Sequence, residues 1–259
     1  MRKSTIFWGI VLVLLGGLLL LSNLGIITIN VWGLFFAALL ILLGIWILIG
    51  RFWKGESTQH VTVPLSGASR GIVRFKHGAG KLIVTTGMDS SNLVEGEFNQ
   101  GLQVKSEQRG DALDVELSLS DWGFPWFGNQ TLDWSVTLPR DVPIELYVDS
   151  GANDARFDLT EAQVTLITLH SGASSTRINL PSHARYTQVA VETGAASVAL
   201  SVPQGVAARI SGGATLGSMN IDKTRFPPSG DGYRSPDYDS AANKVDIRVQ
   251  TGVGSIDIN

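Results

Sequence analysis

The four histidines, His60, His77, His170 and His183, are the side chains best suited to moving protons or ligating a metal near neutral pH. No pair has the HxH or HxxxH spacing that brings two imidazoles to one metal, so no metal site is expected. Asp149 and Glu192 each precede a Ser/Thr-Gly-Ala triplet, and two carboxylates at one repeat position are what a polysaccharide-cleaving β-helix would need for acid and base work. His170 holds the same position in the copy between them, and Gln250 continues the series, which reads as a solvated face. Gly78-Ala79-Gly80-Lys81 runs on into Leu82 and lacks the Ser or Thr of a phosphate-binding loop. Arg109-Gly110-Asp111 is accounted for by a turn at Gly110. The absence of cysteine removes thiol catalysis, disulfides and most structural zinc sites. These residues predict no catalytic site, no metal and no cofactor, and the chain reads as a non-enzyme.

The elements that carry these residues are more informative. One pattern recurs: an apolar residue, two polar or small residues, a glycine and a small residue. It stands at Val148-Asp149-Ser150-Gly151-Ala152, Leu169-His170-Ser171-Gly172-Ala173, Val191-Glu192-Thr193-Gly194-Ala195, Ile210-Ser211-Gly212-Gly213-Ala214 and Val249-Gln250-Thr251-Gly252-Val253. An earlier copy is Phe75-Lys76-His77-Gly78-Ala79. From Gly151 the glycines are 21, 22, 19 and 39 residues apart, the spacing of stacked structural repeats with one interval nearly doubled. Five and three residues before each glycine the positions are apolar, and the residue just before it is mostly small. These sets share one face of a strand, because side chains alternate with period two. His77 falls on this inward set and His170 on the outward one. Gly78, Gly151, Gly172, Gly194, Gly213 and Gly252 are predicted as structural corner glycines, where the backbone passes close to a neighbour and positive φ is tolerated. A second short apolar strand follows each corner: Phe157 and Leu159, Ile178 and Leu180, Leu200 and Val202, Met219 and Ile221. Ile256 with Ile258, and Leu82 with Val84, stand two residues closer to their glycines. Stacking such units buries a continuous interior that no single unit encloses, which predicts a β-solenoid-like domain. A β-sandwich with glycine turns is the alternative.

Composition divides the chain at residue 54. Residues 1–54 contain Arg2, Lys3, Arg51 and Lys54 and no acidic residue. Residues 55–259 hold the other 16 basic and all 23 acidic residues, a net charge of −7, which argues against nucleic acid as a partner. Residues 4–23 and 31–49 are uncharged and apolar, each close to the roughly 20 residues a membrane-crossing helix needs. They predict a two-helix transmembrane hairpin with the bilayer as its partner. The four basic residues flank the hairpin and residues 24–30 carry none, so both flanks are expected in the cytoplasm, with the β domain of residues 55–259 on the same side. Trp122, Phe124, Trp126 and Phe127 cluster around Pro125. This aromatic segment is expected either to cover an open end of the stack or to serve as a partner-binding site. Residues 226–242, rich in Pro and Gly, are expected to form a mobile loop inserted between repeats, accounting for the doubled interval.

Two sets of residues resemble known families. Gly16-Gly17, Asn23-Leu24-Gly25, Trp32-Gly33-Leu34 and Leu42-Leu43-Gly44-Ile45-Trp46 are similar to the LiaI/LiaF-like bacterial transmembrane region. Trp134-Ser135-Val136-Thr137-Leu138-Pro139, Val142-Pro143-Ile144-Glu145-Leu146 and the repeated Gly-Ala corners resemble the toastrack β domain of LiaF-like and PspC-like envelope-stress proteins and of candidate adhesins. The resemblance implies an N-terminal transmembrane hairpin followed by an all-β toastrack domain. It implies a non-enzymatic scaffold or regulator of envelope-stress signalling in the bacterial cytoplasmic membrane. Its partners would be other membrane proteins, a sensor kinase or another stress-response component among them. A cell-surface adhesin or polymer-binding domain is the alternative. The resemblance brings no catalytic residue with it, and the aromatic segment at 122–127 is not part of the family pattern.

Overall fold

Extended backbone carries straight through the repeat glycines. The computed structural model describes residues 36, 39–41, 58–99, 102–119 and 132–259. Its strands are β1 (Thr58–Pro64), β2 (Arg70–Met88), β3 (Asn92–Asn99), β4 (Leu102–Arg109), β5 (Ala112–Leu119), β6 (Leu132–Pro139) and β7 (Pro143–Asp158). They continue with β8 (Gln163–Asn179), β9 (Tyr186–Ser201), β10 (Val206–Ile221), β11 (Pro228–Ser229), β12 (Gly232–Arg234) and β13 (Asn243–Ile258). All lie in one of the chain's two units. Residues 36 and 39–41 are helical and belong to the other. Among the described residues no helix is long and apolar enough to cross a membrane. Apart from those four positions, both expected spans lie outside the described residues.

Six long strands form a parallel stack in the order β2-β7-β8-β9-β13-β10. Each is one strand with two arms, and in all but β10 the repeat glycine lies between them. In β7 the buried apolar side chains before Gly151 are Ile144, Leu146 and Val148, and after it Ala155 and Phe157. The alternation slips by one residue at the glycine, where the cross-strand pairing also skips. Both arms therefore turn their apolar faces inward, and their side chains share one buried cluster. Val73, Leu146, Ile167, Val189, Ile247 and Ile210 form one column across the stack. Val84, Phe157, Ile178, Leu200, Ile258 and Ile221 form a column in the other arm. Each fully buried aliphatic or aromatic side chain contributes about 1.5–3 kcal/mol.

This arrangement revises several sequence expectations. The glycines sit at kinks within continuous strands, and Gly78, Gly151, Gly172, Gly194 and Gly252 lack positive φ. Close approach is what they require. A Cβ on Gly151 would lie 2.5 Å from the Gly78 carbonyl oxygen, on Gly172 2.9 Å from that of Gly151, and on Gly194 2.7 Å from that of Gly172. Gly252 repeats this against Gly194 at 2.7 Å. Gly213 is not a corner glycine: it pairs with Gln250, and a Cβ there would meet open space. In β10 the kink falls at Thr215, between Ala214 opposite Thr251 and Leu216 opposite Val253, two residues later than the glycine motif suggests. The shorter spacing of Ile256 and Ile258 also disappears, because Ile258 pairs with Leu200 and stands level with Phe157. The last repeat, β13, lies between β9 and β10, so β10 ends the stack although it precedes β13 in the chain.

The other end forks at β2. Its first arm pairs with β5, which carries antiparallel β4. Its second arm pairs with β6, followed by β3 and β1.

Candidate functional site

Period-two alternation places every second residue of the first arm outside. Lys76, Asp149, His170, Glu192, Gln250 and Gly213 form an outer column across all six strands. His170 Nδ1 lies 3.2 Å from Asp149 Oδ1, and its Nε2 lies 3.9 Å from Glu192 Oε2. All three side chains are more than half exposed. The two carboxylates thus flank an imidazole, which fills the space a substrate and an attacking water would need in a carboxylate-pair mechanism. At the end of the column Lys76 Nζ meets Glu116 Oε2 at 2.8 Å. That bond, with the nearby charges of Lys105 and Arg74, holds the Glu116 carboxyl below the usual range against the opposing effect of desolvation. What the column can do is present polar and charged side chains on a solvent-exposed surface. Among the described residues no group of three or more His, Cys, Asp or Glu could hold a metal ion.

His77 is the inward exception. It is buried, and its Nε2 is 2.8 Å from the Leu132 carbonyl, to which it donates. Its ring meets Trp134 edge-on at 4.9 Å, and Trp134 meets Phe98 in the same way at 5.4 Å. Burial lowers the His77 pKa; the Leu132 bond and the Asp133 charge oppose that shift without cancelling it. The imidazole is therefore neutral at pH 7, and its Nδ1 has no hydrogen-bond partner. Trp122, Phe124, Trp126 and Phe127, the expected partner-binding residues, lie outside the described residues. The described strands nearest to it in sequence, β5 ending at Leu119 and β6 beginning at Leu132, both pair with β2.

A third cluster escaped sequence reasoning. One carboxylate, Asp246 on β13, accepts from Arg209 Nε at 3.1 Å and from Tyr186 Oη at 2.8 Å, and also from Arg209 Nη2 and Tyr238 Oη. Burial alone would raise the Asp246 pKa; the bonds from Arg209, Tyr238 and Tyr186 outweigh it and hold the carboxyl below the usual range. Burial and the Asp246 carboxylate together push the Tyr238 phenol up. The guanidinium of Arg209 and that of Arg234 lie 5.3 and 5.0 Å from the Tyr238 ring centre. Tyr238 belongs to the inserted segment expected to be mobile. That segment is packed down: Phe226 and Tyr238 are buried, and β12 pairs with β10 at Arg209 and Ile210. The charges of the Arg109-Gly110-Asp111 turn are exposed and paired with neighbouring side chains. Arg109 bridges Glu107 at 2.7 Å, Asp111 accepts from Arg70 at 3.1 Å, and Gly110 has φ +63°.

A family model described as the N-terminal domain of toast_rack, DUF2154, matches residues 53–201, more than half of the chain. The chain belongs to the toast_rack family. A second model, the LiaF transmembrane domain, matches residues 7–80 and makes this toast_rack chain a membrane protein. No curated protein matches it. Among solved structures, a candidate cell adhesion protein from Clostridium sporogenes ATCC 15579 superposes with a TM-score of 0.72 at 19% identity. The match covers 79% of this chain and 99% of that one, and shows a shared fold. A candidate adhesin from Bacteroides fragilis NCTC 9343 has 9% identity and a TM-score of 0.33, covering 80% and 98% of the two chains. One from Parabacteroides merdae ATCC 43184 has 11% identity and a TM-score of 0.26, covering 80% and 97%. These two superpositions carry no argument.

Proposed function

We propose that this toast_rack protein is a non-enzymatic, membrane-anchored scaffold that regulates a bacterial response to cell-envelope stress. The observation that carries the reading is the joining of a LiaF transmembrane match at 7–80 to a toast_rack match at 53–201 in one chain. The side chains best suited to chemistry support it. The outer carboxylates are solvated and bridged by His170, and buried His77 is engaged with a backbone carbonyl. A two-span hairpin with its β domain in the cytoplasm follows from the four basic residues that flank the spans. In that compartment the domain reaches other cytoplasmic-membrane proteins, a sensor kinase or another stress-response component among them. Deleting the gene and profiling transcripts under a cell-wall antibiotic tests the role. The expected result is a changed envelope-stress regulon, and an unchanged one overturns the proposal.

A second reading, surface adhesion, is favoured by the description of the C. sporogenes protein. It requires the β domain outside the cell. A reporter fused after Asn259 separates the two: activity confined to the cytoplasm supports the scaffold, and activity only outside supports adhesion. Two lysines placed within residues 24–30 should weaken or invert the orientation.

A further inference from the structure

The stack ends at β10, and among the described residues that end is covered over only half its length. Along the first arm the inserted segment closes it. The Ala208 amide donates to Ser235 Oγ at 2.8 Å, the Ser235 amide donates to the Ala208 carbonyl at 2.8 Å, and β12 pairs with Arg209 and Ile210. Beyond Ile210 no strand among the described residues pairs with the outer edge of β10. Residues 211–221 therefore present an open strand edge on the order of 30 Å long. Met219 and Ile221, the last members of their core columns, are only partly buried.

Open edges are ordinarily blunted by charge, proline or short length. The outermost strands at the other end follow that rule. β4 carries Lys105, Glu107 and Arg109, and β1 carries His60, 3.5 Å from Glu95, and ends at Pro64. Residues 211–221 contain no charged residue and no proline. Leu216, 67% exposed, stands opposite Val253, 52% exposed, so an apolar patch adjoins the open edge.

We infer that residues 211–221 pair antiparallel with the same edge of a second copy of this chain, about a two-fold axis. A neutral edge meets itself without placing like charges opposite one another. Such a contact is isologous and closes at two molecules. Head-to-tail docking on the β4 rim of another copy would bury Lys105, Glu107 and Arg109 against an edge that offers them no counter-charge. One strand edge makes a small interface, so the pairing is weak in dilute solution and depends on density, which a shared membrane supplies.

The chain has no cysteine, so each introduced one is a unique probe. Full-length chains carrying Thr215→Cys, Leu216→Cys, Ser218→Cys or Asn220→Cys, reconstituted in lipid vesicles at graded chain-to-lipid ratios, are oxidised and run without reductant. Antiparallel pairing predicts a disulfide dimer of twice the chain mass, with yield peaking at one of the four positions and rising with density. Adding Leu216→Lys and Ser218→Lys to the best Thr215→Cys or Asn220→Cys background should cut that yield at least tenfold while the thermal melt stays unchanged. Absence of dimer at all four positions overturns the inference. So does a yield indifferent to the lysines. Crosslinking only in a double variant that also carries Glu107→Cys shows head-to-tail stacking and overturns it too. None of these outcomes bears on the stress-response reading, which rests on the transcript profile.

Discussion

The two ends of the stack solve the same problem differently. At the β2 end the sheet forks, and each arm gains antiparallel strands whose outermost members are charged or end in proline. At the β10 end the first arm is closed by the inserted segment, and the second arm carries no further strand among the described residues. The insertion behind the doubled repeat interval is therefore a half-cap, held by β12 pairing with β10, by the Ser235–Ala208 bonds and by Tyr238 on Asp246. A closed end of a stack spends sequence on specificity, and an open one leaves hydrogen-bonding capacity for a partner.

The largest expected effect lies at the forked end. Trp134→Ala should lower stability by about 3–5 kcal/mol, as truncating a buried tryptophan does. Leu216→Ala at the open end should stay within about 0.5 kcal/mol, as an exposed substitution does. Equal losses in thermal or denaturant melts of the two variants would erase the contrast between the ends.

The kink column comes next. Gly151→Val places a Cβ 2.5 Å from the Gly78 carbonyl and should cost about 1–3 kcal/mol, the range for overpacking. Gly213→Ala, one strand beyond the column and facing open space, should be nearly neutral. A large loss from Gly213→Ala would show that the glycine motif, and not the strand pairing, sets the register of β10.

The half-cap should respond more mildly. Asp246→Ala removes the acceptor shared by Arg209, Tyr186 and Tyr238 and should cost about 1–2 kcal/mol, reduced by the partial exposure of the cluster. Limited proteolysis should then cut first within residues 222–242. Cleavage elsewhere would mean that the cluster does not hold the insertion.

The smallest effect is a pH dependence confined to the forked end. His77 titrates below the ordinary imidazole value of 6.5 in the folded chain. The unfolded chain therefore takes up a proton first as pH falls. The stabilising contribution is fully present above about pH 6.5 and declines as pH drops from there through the folded pKa. His77→Gln should flatten that slope in melts taken across this range, and an identical slope in the variant would assign it to other groups.

Much of this was legible in the sequence, for identifiable reasons. The period-two faces, the repeat, and the outward Asp149, His170 and Glu192 follow from local alternation, and the structure keeps them. The order of the last two long strands was not legible, because β10 and β13 carry nearly the same glycine motif and only pairing partners distinguish them. The two-residue offset of Gly213 has the same cause: the motif carries no register of its own, and only the pairing with β13 shows that Thr215, not Gly213, stands level with Gly252. The cluster on Asp246 joins Tyr186, Arg209, Tyr238 and Asp246 across 60 residues of chain and leaves no local signature. The aromatic segment at 122–127 lies outside the described residues, and the sequence remains its only account.

The claim that the two ends differ in their availability is tested most directly by backbone hydrogen exchange on the full-length chain in vesicles, measured across a series of chain-to-lipid ratios. The account predicts that amides within residues 211–221 become more protected as density rises, while those of β1 and β4 keep constant rates. Exchange in 211–221 that is independent of density, or protection that grows equally at β1 and β4, would contradict it.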